Sequence, residues 1–141
     1  MSSEAQVLCL SDLQPGSEKV IEFVVSEEDL EVFAQLSGDR NPLHTDPDFA
    51  KTKGFRDKVV YGALLIAKLS QLIGMYLPGR DAILTGLNAA FRAPVHPGDV
   101  VQLRARVAHV SQATGAVNLS VHASIGHRTV MSGTAETVIR T

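Results

Sequence analysis

A chain of 141 residues is long enough to bury one substantial core, and its 45% hydrophobic and 20% charged residues are the proportions of an ordinary globular domain. The formal charge of -2 offers no basic surface for nucleic acid or for an anionic membrane. Cys9 is the single cysteine, which excludes an intrachain disulfide and a thiolate zinc site and suits a reducing compartment.

Residues 1–25 carry no basic-then-apolar leader pattern. The longest apolar stretch, 61–77, is broken by Lys68, Ser70 and Gln71 and is too short to cross a bilayer, so the expected location is cytoplasmic. Residues 1–17 read as a loose lead-in with a turn at Pro15-Gly16. A short strand is predicted over 20–25. Ser26 then offers an N-cap, with Glu27, Glu28 and Asp29 in the first turn where the helix dipole favours negative charge. Leu30, Phe33 and Ala34 share one face, so a short amphipathic helix runs to about Leu36.

An irregular polar loop is expected over 37–46, because Pro42 removes a backbone donor and drives Asn41 towards extended geometry. It places two proton-moving groups, Asp39 and His44, five residues apart between apolar segments, and such a loop is the first place to look for chemistry. Asp46 caps a second small helix, with Pro47 at its first position and Gly54 as its stop. The stretch 62–77 is a helix apolar nearly all round, which marks it as buried, and Pro78-Gly79 ends it.

From there the period changes to two. Ile83 to Phe91, Val101 to Val107, Val117 to Ile125 and Thr129 to Ile139 alternate as four strands, separated by turns at 94–99, 111–115 and 126–128. Short turns predict an antiparallel meander with one buried face, and only the 62–77 helix is apolar enough to cover it. The fold class is α+β, one long helix wrapped by a curved antiparallel sheet in a single domain spanning 1–141.

The motif Asp39-x-Asn41-Pro42-x-His44, followed in order by Phe49-Ala50, Phe55, Val60-Tyr61-Gly62, Leu77-Pro78-Gly79 and Phe91-x-x-Pro94-Val95-x-x-Gly98-Asp99, resembles the MaoC-like dehydratases, in particular the R-specific enoyl-CoA hydratases of hot-dog fold. The resemblance implies that Asp39 and His44 are a catalytic pair acting on a 2-enoyl or 3-hydroxyacyl thioester of coenzyme A or acyl carrier protein. It also implies a homodimer whose sheets join. The family usually carries His-Gly at the start of the long helix, where this chain has Tyr61-Gly62.

The chemistry suits these residues. Hydrating an α,β-unsaturated thioester needs a base for water, an acid for C2 and a donor for the developing enolate oxygen. A carboxylate and an imidazole supply the first two, and a backbone N–H near Gly62, at a helix N-terminus, supplies the third. Gly62, Tyr61 and Asn41 are the expected substrate-binding residues, with Asn41 also suited to bracing the loop. Tyr61 either lines the site or caps the core. No metal or organic cofactor is required, since the thioester itself activates the alkene. Taken without the resemblance, Asp39 and Asn41 read as turn residues and His44 as a helix-entry residue. His96, His109, His122 and His127 lack ligand spacing, Ser37 and Ser70 lack a nucleophile elbow, and Arg104 and Arg106 read as a solvated face or as partners for coenzyme A phosphates. A hot-dog thioesterase and a non-catalytic acyl-thioester-binding subunit are the alternative functions.

Overall fold

The computed structural model describes residues 4–141, so the first residues of the expected lead-in lie outside the described part. The remainder of the lead-in contains one 3-10 turn, Leu10–Asp12, and is tied to the body where Gln6 N donates to the Met75 carbonyl over 2.8 Å. Strand β1 is Glu18–Val24 and helix α1 is Glu27–Ser37. Ser26 and Asp29 cap α1 reciprocally: Ser26 Oγ accepts from Asp29 N (3.0 Å), and Asp29 Oδ2 accepts from Ser26 N (2.9 Å). Gly38, at φ 75°, closes the helix in the left-handed conformation.

The expected irregular loop 37–46 holds one extra turn of helix, α2 (Pro42–Thr45). Asn41 is its N-cap, with Oδ1 accepting from Leu43 N at 3.0 Å, and Pro42 sits at the first position, where its missing N–H costs nothing. The proline therefore blocks continuation from α1 yet opens a new turn. Helix α3 (Pro47–Thr52) starts as predicted, with Asp46 Oδ1 accepting from Asp48 N (2.9 Å) and Phe49 N (3.4 Å). The long helix α4 is Gly62–Met75.

Strands β2 (Ala82–Phe91), β3 (Val100–Val110), β4 (Ala116–Ile125) and β5 (Arg128–Ile139) follow. The sheet is antiparallel, in the order β1-β3-β4-β5-β2. This corrects the four-strand meander in two ways. The first strand joins the sheet as a fifth member beside β3, and β2 pairs with β5 rather than with its sequence neighbour β3. The segment 92–99 is a crossing connection, not a hairpin, because the meander proper is β3-β4-β5. Gly133 permits the β2–β5 approach: a Cβ there would lie 1.9 Å from the Asn88 carbonyl oxygen.

Val101, Leu103, Ala105 and Val107 of β3, with Val117, Leu119, Val121 and Ala123 of β4, all point into the core. They meet Leu64, Leu65, Leu69, Leu72 and Ile73 of α4 in one hydrophobic cluster. Truncating a side chain as closed-in as Leu72 to alanine typically costs about 2–5 kcal/mol. Among the described residues no helix is long and apolar enough to cross a membrane.

Candidate active site

His44 and Gly62 line one cavity of about 440 Å³, walled by Val60, Leu65, Phe91 and Pro94. His44 is half-buried, and its Nδ1 lies 2.5 Å from the Val59 carbonyl oxygen. A carbonyl can only accept, so Nδ1 carries the proton in the neutral ring and Nε2 is left with its lone pair. The Val59 carbonyl is itself held in place. Val59 N donates to the Leu43 carbonyl over 3.1 Å, and Val60 N to the Val95 carbonyl over 2.7 Å.

A residue that sequence reasoning passed over completes this support. His96 is 4% exposed, donates from Nδ1 to the Lys58 carbonyl (2.8 Å) and gives its backbone N–H to Asp99 Oδ2 (2.9 Å). Asp99 Oδ1 in turn accepts from Arg56 at 2.6 Å. The segment 56–60 is thus clamped onto 95–99. Its sequence signal was the polar pair His96 and Asp99 set within an otherwise apolar and turn-forming run.

Asp39 lies on the exposed loop that follows Gly38, with Oδ1 accepting from Asn41 N at 3.0 Å and its backbone N–H donating to Ser37 Oγ at 3.1 Å. Ser37 Oγ also donates to the Phe33 carbonyl (2.7 Å), so this hydroxyl is engaged in closing α1. Asn41 spends Oδ1 on capping α2. Tyr61 is buried at 2% exposure. Its hydroxyl donates to the Asp39 carbonyl over 2.6 Å, and its ring stacks on His44 with centroids 4.0 Å apart and planes at 28°. Burial first, and the charge of Asp39 second, raise the Tyr61 phenol above its ordinary value, while Arg40 pulls it down.

At the start of α4, Leu64 N and Leu65 N both turn back to the Tyr61 carbonyl. The Gly62 and Ala63 N–H groups have no acceptor in the chain among the described residues, as a first helical turn requires. Phe91 covers the Gly62 Cα: a Cβ at position 62 would lie 2.7 Å from Phe91 Cζ. The remaining histidines are elsewhere. His122 pairs with Thr129 on the sheet, and Arg104 faces Glu18 at 3.9 Å on a solvated strand face.

An imidazole of fixed tautomer and a bare helix N-terminus on one cavity can move protons next to a polarised carbonyl, while Asp39 sits on the exposed loop and is not among the residues lining that cavity. The MaoC like domain profile matches residues 13–130, more than half of the chain. The chain belongs to the MaoC-like family. It is 32% identical over 135 residues to a 3-hydroxybutyryl-CoA dehydratase of Methylorubrum extorquens, covering 96% of this chain and 86% of that one. It is 29% identical over 140 residues to an (R)-specific enoyl-CoA hydratase of Rhodospirillum rubrum, covering 99% and 97%. The solved (R)-hydratase from A. caviae involved in PHA biosynthesis superposes with a TM-score of 0.86 at 31% identity, covering 91% of this chain and 98% of that one. The MaoC-like chain therefore has the hot-dog fold.

Proposed function

We propose that this MaoC-like chain is a hydro-lyase acting on acyl thioesters, interconverting trans-2-enoyl-CoA and (R)-3-hydroxyacyl-CoA. The observation that carries the reading is the tautomer of His44: with Nδ1 committed to the Val59 carbonyl, Nε2 is the nitrogen left to exchange a proton in the cavity shared with Gly62. Asp39 and His44 flank the attacking water. His44 Nε2 takes its proton as the oxygen bonds to C3, the same proton is then passed on to C2, and the pair is restored with one water added across the double bond. Negative charge gathers on the thioester oxygen meanwhile, and the N–H groups at Gly62 and Ala63 hold it in a site already pointed at it. Losing such a donor costs about 3 kcal/mol of barrier. Asn41 serves the site by holding the loop that carries Asp39.

Coenzyme A and acyl carrier protein thioesters present the same reacting carbons, and both belong to the proposed substrate class. We also propose a homodimer joined through β2. That edge strand exposes Ile83, Leu84, Leu87 and Phe91, and an unpaired apolar edge is rarely left to water.

The test is a crotonyl-CoA assay that follows loss of the conjugated-thioester absorbance and release of free thiol together. Hydratase action gives absorbance loss without thiol. Thiol release would make the chain a thioesterase, and no change in either would make it a binding subunit.

A further inference from the structure

Tyr61 touches both members of the proposed acid–base pair at once. Its hydroxyl bonds the Asp39 carbonyl at 2.6 Å, and its ring lies on the face of the His44 imidazole at 4.0 Å. Phe33 also packs against the ring, with centroids 4.7 Å apart and planes tilted by 47°. Tyr61 is also the N-cap residue of α4, covalently joined to Gly62. We propose that Tyr61 is a positioning residue that fixes Asp39, His44 and the α4 N-terminus relative to one another; the proposal rests on the hydratase reading above.

Two restraints on His44 are needed because one hydrogen bond leaves a ring free to swing about it. The Val59 carbonyl fixes the Nδ1 edge, and the stacked phenol fixes the plane. Together they set where Nε2 points. On the other side, the loop bearing Asp39 is exposed and held mostly by its own short-range bonds to Ser37 and Asn41. The bond from Tyr61 ties the Asp39 backbone itself to a buried side chain. An anchor for a carbonyl must remain a donor, and a buried neutral phenol does so across the physiological range. This work is done within the chain, so Tyr61 needs no contact with substrate.

The experiment compares wild type, Tyr61→Phe and Tyr61→Leu. Phenylalanine keeps the stack and removes the tether to Asp39; leucine removes both. Hydration of crotonyl-CoA gives kcat and KM, and the His44 ring-proton resonances of the unliganded chain report the stack through the ring current. Tyr61→Phe should lower kcat about tenfold, the worth of one lost hydrogen bond at the reacting groups, with KM within about twofold. Its His44 resonances should stay in place, whereas Tyr61→Leu should shift them and lower kcat further. A Tyr61→Phe kcat within about twofold of wild type overturns the proposal, whether or not Tyr61→Leu folds. Wild type inactive in the same assay would instead count against the hydratase reading, and His44 resonances unmoved in Tyr61→Leu would then still overturn the positioning role.

Discussion

His44 donates from Nδ1 to the Val59 carbonyl, a residue fifteen positions further along the chain that also lines the cavity. The bond separates the two nitrogens of the ring: one anchors, and the other is the one proposed to react. His44→Asn keeps an N–H close to the Nδ1 position and loses Nε2, and His44→Ala loses both. Each should lower turnover by a factor of about a hundred or more, as should Asp39→Asn, with the folded state intact by thermal melting. Any of the three variants near wild-type turnover would remove its residue from the mechanism.

The contact of Phe91 with the Gly62 Cα gives the glycine a second reason to be there. Gly62→Ala should destabilise the chain, because the new methyl meets a ring 2.7 Å away, and Phe91→Ala should relieve the clash. In a double-mutant cycle read by denaturant unfolding, the two changes should couple by about 0.5–3 kcal/mol. Turnover of the double variant should stay low, because the methyl still crowds the N–H proposed to hold the thioester oxygen.

Strand β2 is predicted to be the seam between two copies. Leu87 is 39% exposed on this apolar edge in the single chain, and Leu87→Lys should shift the protein to monomer by light scattering at micromolar concentration. Wild type running as a monomer with full activity would contradict the assembly.

Burial holds the Tyr61 proton more tightly in the folded chain than in the unfolded one. The stabilisation this provides is complete below the ordinary tyrosine value of 10.0 and is lost as pH rises from there through the folded value. The stability difference between wild type and Tyr61→Phe should therefore be flat from about pH 7 to 9 and shrink above about pH 10. Denaturant curves of both proteins across that range measure it, and the other titrating groups cancel in the comparison.

Periodicity carried most of this fold in plain view. Val101, Leu103, Ala105 and Val107 alternate in the sequence and are all buried, and Ser26 and Asp29 form the cap that their spacing announces. Strand order was less legible. Alternation says which face a strand buries but not which strand lies beside it, so the β2–β5 pairing and the place of β1 emerge only when the sheet closes over α4. At the site, Asp39, His44 and Gly62 were legible as candidates through the family resemblance, since taken alone Asp39 reads as a turn residue and His44 as a helix-entry residue. His96 and Phe91 were not, since each acts on a segment far away in the chain: one holds the Lys58 carbonyl, the other packs on Gly62. Tyr61 read as a substrate-binding residue that either lines the site or caps the core, and its contacts with Asp39 and His44 are what the proposed positioning role rests on.

The most direct measurement is the product formed from crotonyl-CoA, separated on a chiral phase after incubation with the wild-type chain and with His44→Ala. Wild type should yield (R)-3-hydroxybutyryl-CoA with the thioester intact, and His44→Ala should yield essentially none. The (S) product, free coenzyme A, or equal (R) product from both proteins would contradict the account.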